Sequence, residues 1–360
     1  MAAVELTWFG CDLRSGGIAE ELRSLRPAQA LTRRLGTQTS AELELALAGA
    51  PIGWEAATDP GRTMLVACDT LTGQPIWAGA CLPRSGGSAT TVRISAATLE
   101  CYLDRRYPGD YTATATDQVG IMAALATPAL TSGPPLVLDT TASGTTIDYA
   151  VADADDRSIA DCLQEISGLD GGPEWTIDPV WADAAQTRIQ LVLRIKLAVG
   201  TQSDTPDAVF DMPGCISSYE LAESYERGRG ATSVTARGDR ADGVRATSAA
   251  HTADALLAAG WPLWEYRWTP AQGITDTGLL ERHATEAIGL MGPGSRSWTV
   301  QAVASRAPRV GSAWGLGDSV RLSVTASPRH PAGIEVVARA YGWDLDPGAD
   351  RVSPILLEGS

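Results

Sequence analysis

Apolar residues fall at every second position in short runs along much of the chain, and Gly- or Pro-rich turns cut these runs apart. That pattern admits half-buried β-strands and little else. In "AELELALAG" it places Leu43, Leu45 and Leu47 on one face, with Glu42 and Glu44 on the other. In "TRIQLVLRIKLAV" it aligns Ile189, Leu191, Leu193, Ile195 and Leu197. Near the N-terminus "VELTWF", "TMLVAC", "PIWAGA" and "TTVRIS" follow at short, regular spacing, and "LTGQP" and "RSGGS" supply the turns between them. These runs predict a first β-domain, a sandwich or barrel, closing near "TLECYLDRRY".

A helical period enters only after that point. Thr116 or Asp117 can cap a helix through "DQVGIMAALAT", expected to end before Pro128, and the linker-like "TPALTSGPP" follows. A second helix is predicted over Asp155 to Ser167. Ile159, Cys162, Leu163 and Ile166 form its stripe, acids fill its first turn and Gly168 ends it. With "EWTID" and the long alternating strand this makes a helix-on-sheet module. Strand-like runs return in "CISSYELAES", "ATSVTARG", "GVRATSA" and "WPLWEYRWTP". One more helix is expected in "TGLLERHATEAIGLMG", with Leu280, Ala284, Ala287 and Met291 on one face and Gly292 as its stop. The chain closes on "RSWTVQAVAS", "LGDSVRLSV", "GIEVVARAYGWDLD" and "RVSPILLEG". This order is α+β, mostly β, with no βαβ repeat. It suggests three domains: 1–105, β; 106–205, a mixed α/β insert; and 206–360, a second β-domain with a helical insertion.

A length of 360 residues is enough for two or three domains. The formal charge of −15 argues against tight sequence-independent binding to nucleic acid, which needs a basic face to displace counterions. No run of about 18 apolar residues occurs to cross a membrane. The start "MAAVELTWFGCDLRSGG" lacks a signal-peptide layout, so folding in a cytoplasm is expected. Cys11, Cys68, Cys81, Cys101, Cys162 and Cys215 are scattered among apolar residues without a CxxC. They read as buried reduced thiols, with a disulfide or two as the alternative.

No catalytic, cofactor-binding or metal-ligating set emerges. The only lysine, Lys196, sits in an alternating strand and not in a phosphate-binding loop, and no nucleophile elbow exists. His251, His283 and His330 are far apart and read as structural. "DADDR", Asp153 to Arg157, fails the calcium-loop pattern because Arg157 takes the third ligand position, Ser158 that of the glycine and Gln164 that of the bidentate glutamate. Its acids suit the start of a helix instead. "GRG" at Gly228 to Gly230 reads as a turn, and "RGD" at Arg237 to Asp239 as a polar turn after a strand. With 43 acids, two carboxylates could meet as a glycosidase pair, which needs a separation of roughly 5 to 9.5 Å that no sequence displays. Eleven tryptophans accompany two phenylalanines. Trp264, Tyr266 and Trp268 alternate onto one face beside Trp261, read as a core face before an interface.

"WGLGDSVRLSV", Trp314 to Val324, combines a turn that Gly317 permits, a backbone-bonding Asp318 and the inward alternation of Val320, Leu322 and Val324. Placed after a helix and "WTVQAV" and before "GWDLDPGADRVSPILLEG", it resembles the C-terminal region of long-tailed phage tail hub proteins, also called minor tail or baseplate hub proteins. The resemblance extends to "ATLECYLDRRY", to "SIADCLQEIS" leading into "PEWTID", and to "WFGCDLRSGGIAEEL". It implies tail-tube-like β-barrel domains separated by mixed α/β inserts, and no cofactor. It implies a homotrimer whose ring of barrels joins the tail tube to the tail tip of the virion. Expected partners are tail tube, distal tail, fibre or tip and tape-measure proteins, with DNA passing through the lumen in transit. Many such hubs carry a hydrolase or fibre-binding extension; this sequence ends at Ser360 without one, so a minimal hub is expected. Two other readings remain: a tail-tip cell-wall hydrolase working through paired acids, and a carbohydrate- or receptor-binding tail protein working through exposed tryptophans.

Overall fold

The computed structural model describes residues 4–169, 171–241, 243–270 and 277–357. The chain forms two compact units. The first takes the chain up to Ser167, Gly172–Tyr219 and Val300–Leu356, and the second is built from Glu220–Thr299.

The N-terminal stretch supplies β1 (Leu6–Asp12), β2 (Ile18–Glu21), β3 (Leu25–Pro27), β4 (Leu31–Arg34), β5 (Ser40–Ala46), β6 (Thr63–Asp69), β7 (Pro75–Ser85) and β8 (Thr91–Thr98), with the short helix α1 (Trp54–Ala57) between β5 and β6. Seven of these strands make one sheet in the order β2-β1-β6-β7-β8-β5-β3. β5 obeys its alternation: Ala41, Leu43 and Leu45 are buried, while Glu42 and Glu44 face solvent. Leu47 does not extend that face, because the strand ends at Ala46 and a 3-10 turn begins. β4 leaves this sheet altogether.

The middle of the chain adds α2 (Glu100–Leu103), β9 (Tyr111–Asp117), α3 (Gln118–Leu130), β10 (Leu136–Thr140), β11 (Thr146–Val151), α4 (Ile159–Ser167), β12 (Glu174–Trp181) and β13 (Ile189–Lys196). β13 lies between antiparallel β12 and parallel β10. Its Ile189, Leu191, Leu193 and Ile195 are all buried, whereas Leu197, beyond the strand's end, is 50% exposed. α3 is capped by Asp117, whose side chain accepts from the Val119 and Gly120 amides. It does not stop before Pro128 as the sequence suggests. A proline in the last turn forfeits one helical hydrogen bond, and the Pro128 carbonyl is taken up by the Arg106 guanidinium and the Thr131 hydroxyl. α4 starts later than expected: Asp153 and Asp155 occupy a separate 3-10 turn, and Ser158 and Asp161 cap the helix reciprocally.

The remaining strands of the first unit are β14 (Val209–Met212) and β15 (Ile216–Ser224), which leads out of it. In the second unit follow β16 (Ser233–Ala241), β17 (Val244–Thr247), β18 (His251–Thr252), α5 (Asp254–Ala258), β19 (Glu265–Trp268) and α6 (Thr277–Met291). The return is through β20 (Ser295–Val303), then β21 (Ser319–Val324), β22 (Ile334–Asp346) and β23 (Arg351–Leu357). A second seven-stranded sheet has the order β14-β21-β22-β23-β20-β15, and its seventh strand is β4, paired with β22. One half of β22 pairs with β21 and the other half with β4. In the second unit α6 lies on β16: Leu280 and Ala284 meet Ala236, and Ala287 joins Ala231 and Val234. Met291 packs against that core, as its place on the predicted face requires. The fold is thus α+β and mostly β, with a half-barrel sheet. All six cysteines are buried and unpaired.

Candidate functional site

A cavity of about 750 Å³ opens in the first unit, with Arg33, Asp178, Arg194, Lys196, Trp314 and Trp343 among its walls. Strand geometry delivers these charges. β13 buries its odd-numbered apolar face, which turns Arg194 and Lys196 the other way. β4, by pairing with β22, sets Arg33 opposite Trp343. Arg33 is 5% exposed and donates to Asp178 Oδ1 at 2.8 Å, Thr176 Oγ1 at 2.9 Å and the Ile177 carbonyl at 2.9 Å, with Glu100 Oε1 at 3.5 Å. Arg194 Nε donates to Asp178 Oδ2 at 2.8 Å and its Nη1 donates to Asp139, which Lys196 Nζ also reaches at 2.9 Å. Acid and base therefore alternate from Glu100 through to Lys196.

A second knot surrounds Arg339, which is 7% exposed. It grips Glu174 through both oxygens at 2.8 and 2.6 Å and donates to the carbonyls of Gly317 at 3.0 Å and Val199 at 2.9 Å. Gly317 has φ +83°, and a Cβ there would lie 1.9 Å from the Val199 oxygen, so no other residue lets the two backbones cross. Asp318 fixes the crossing by accepting from the Gly315 amide at 2.7 Å and the Thr201 amide at 2.6 Å. The turn that opens "GDSVRLSV" is where the insert is tied to the second sheet.

Burial alone would push the Asp178 carboxyl up. Arg33 and Arg194 outweigh it and hold the group below the usual carboxylate range. Asp139 is held low mainly by its hydrogen bond to Lys196, with Arg194 adding to the effect. Both stay ionised, which suits an ion-paired frame and offers no proton for general-acid chemistry. Burial pushes the thiols of Cys11 and Cys68 up to about 12 and those of Cys81, Cys101 and Cys215 up to about 11, so these are poor nucleophiles.

No protein-family model and no curated protein sequence matches the chain. Solved structures do. A tail protein from Neisseria meningitidis superposes with a TM-score of 0.62 at 13% identity, covering 99% of this chain and 97% of its own. The 43 kDa tail protein of a Shewanella oneidensis prophage gives 0.60 at 14% identity, covering 98% of both chains. A prophage tail protein from Listeria monocytogenes gives 0.57 at 10% identity, covering 99% of this chain and 94% of its own. The chain has the fold of a phage tail protein.

Within this tail-protein fold the residues singled out in the sequence are dispersed. Lys196 closes β13 in its ion pair. His251 bonds Glu281 and Thr285, and His330 bonds Tyr219 beside Ser327. His283 is buried against Trp268, ring centroids 5.9 Å apart. "GRG" is a turn, with Gly228 at φ +83°. "RGD" is not a turn after a strand: it lies inside β16, where the pairing register shifts between Arg237 and Arg240. The aromatic face is split. Tyr266 and Trp268 pack against the α6 core, but Trp261 and Trp264 are 41% and 54% exposed. Arg33, Glu100, Glu174, Asp178 and Arg339 went unseen in the sequence. Apart from their charge within apolar stretches, nothing local marks them, and their partners lie far away along the chain.

Proposed function

We propose that this chain is a structural tail protein of a long-tailed phage or a related tail-derived particle. It acts as a hub: a homotrimer whose ring joins the tail tube to the tail tip and leaves a lumen for DNA during ejection. The observation that carries the reading is the extent of the structural likeness, which runs over nearly the full length of both partners in each of three tail proteins. A second sheet that takes its strand β4 from the N-terminal stretch, together with buried ion pairs, suits a load-bearing ring. A charge of −15 suits a lumen that DNA must slide through without sticking. Tail tube, distal tail, fibre or tip and tape-measure proteins are the partners this role requires.

Mass and symmetry of the native assembly test the proposal, together with antibody labelling of particles. A threefold ring with an open channel, labelled at the tip of the tail, is the expected result. A chain that stays monomeric with tube and tip proteins present, or labels elsewhere, would overturn it. A receptor- or carbohydrate-binding role has one observation in its favour: exposed Trp261 and Trp264 close on Tyr225 with ring centroids 5.3 and 6.4 Å away.

A further inference from the structure

One face of the second unit's sheet is basic. Val234, Ala236 and Ala246 pack towards α6, as do Tyr266 and Trp268. Alternation therefore turns Thr235 and Arg237 of β16, Arg245 and Thr247 of β17 and Arg267 of β19 to the opposite face. The register agrees: Arg237 stands opposite Thr247, Arg240 stands opposite Arg245 past the bulge, and Arg267 lies beside Thr235. Arg245 is laid across the strands, its Nε donating to the Gly238 carbonyl at 2.9 Å and its Nη2 to Thr269 Oγ1 at 3.0 Å. Arg240, Arg245 and Arg267 are exposed, and none of the four arginines has an ion-pair partner among the described residues. The acids of these strands are Asp239 and Glu265 alone. Like charges directly opposite each other destabilise a ladder, so the Arg240 and Arg245 pair calls for an anion over it.

The chain itself supplies the complement. Glu220–Thr299 holds eight arginines and ten acids, so most of the charge of −15 belongs to the rest of the sequence. In the first unit, the pairing of Tyr111 with Val151 brings the start of β9 to the end of β11, where Asp110, Asp153, Asp155 and Asp156 are all exposed. The Asp153 amide donates to Asp110 Oδ1 at 2.8 Å and ties the two segments together. Arg157, next in sequence, is committed to Glu165 at 2.8 Å. These four aspartates have no cation among the described residues, as the four arginines have no anion. Nucleic acid would match the arginines, but the rest of its length would meet a strongly acidic chain. We propose that the basic sheet face of one copy docks on the β9 and β11 aspartates of a second copy. The two surfaces differ, so the contact is heterologous, and repeated head to tail it generates a ring where the rotation closes. This docking deepens the hub reading and rests on it for the presence of several copies in one particle.

Lys196 is the only native lysine, so Arg240→Lys with Arg267→Lys in the full chain keeps the charge and adds two traceable amines. Equal parts of ¹⁴N- and ¹⁵N-labelled chain are mixed, coupled with a carbodiimide, which joins an amine only to a carboxylate in contact with it, and mapped by mass spectrometry. Links from position 240 or 267 to Asp110, Asp153, Asp155 or Asp156, between differently labelled copies, are expected. In sedimentation the native chain should self-associate less as salt rises, and Arg240→Glu with Arg267→Glu should weaken association more than about tenfold, since attraction becomes repulsion. Should the glutamate variant fail to fold, the conservative lysine variant still decides. An assembling chain whose links go only to other carboxylates, or only within one copy, would overturn the docking and leave the hub reading standing. A native chain monomeric at low salt would overturn it too, and the hub reading would fall with it only if tube and tip proteins also failed to assemble the chain. Retention of a labelled DNA duplex by the native chain, lost in the glutamate variant, would overturn it in favour of a nucleic-acid face.

Discussion

Arg339 ties together more of the chain than any local pattern around it indicates. Its side chain is 8% exposed and that of Glu174 18%, and two backbone carbonyls depend on the same guanidinium. Removing one member of a buried pair strands the other, so Arg339→Ala should cost about 3–5 kcal/mol in urea unfolding. Arg23→Ala breaks a pair whose side chains are 78% and 41% exposed, and should cost less than about 1 kcal/mol. Equal, small losses would show that the Arg339 knot is not structural. Gly317 was legible beforehand because a tight turn announces itself within four residues. Arg33 and Arg339 were not, because Asp178 and Glu174 lie 145 and 165 positions away, and charge alone does not reveal which acid a base will meet.

At the scale of elements, periodicity was a faithful guide wherever burial is decided locally. β5, β13, α4 and α6 each bury the face their spacing marks out. It failed where a distant partner or an end effect decides. Nothing in "LTRR" signals that β4 abandons its neighbours for β22, and the face of β13 stops short of Leu197 because the strand does. The aromatic run of the second unit illustrates both cases. Alternation correctly joins Tyr266 to Trp268, but Trp264 precedes the strand, and its loop is pinned by Thr232, which bonds the Trp264 amide and the Pro262 carbonyl. Trp268→Ala removes a ring from the α6 core and should lower stability by about 2–4 kcal/mol. Trp264→Ala should stay within about 1 kcal/mol, as for surface changes generally. Thermal melts of the two variants compare them directly; an equally large loss for Trp264 would mean that its exposed ring is structural.

For the molecule as a whole, acid should act on the two units at different pH. In the second unit, burial and then Arg282 hold the His283 imidazole below its ordinary value near 6.5. A depressed histidine is neutral when folded and takes up its proton more readily when unfolded. Its contribution is therefore complete above pH 6.5 and is lost as pH falls from there towards the folded value. In the first unit the groups that matter are Asp117, Asp139 and Asp178. Burial opposes ionisation of all three, but hydrogen bonds and, for Asp139 and Asp178, neighbouring cations hold them below the usual carboxylate value near 3.9. Their stabilisation is intact above that value and disappears only as pH drops through the folded ones. Hydrogen exchange should therefore show amides of β16 and α6 losing protection from about pH 6.5 downward, while those of β13 hold until about pH 4. His283→Phe should abolish the early loss and leave the late one. Asp178→Asn should start less stable at pH 7 and fall less steeply below pH 4, having one linked proton fewer to bind. If β13 and β16 instead lost protection together at every pH, the two units would be unfolding as one, and His283 would be setting the acid limit of the entire chain.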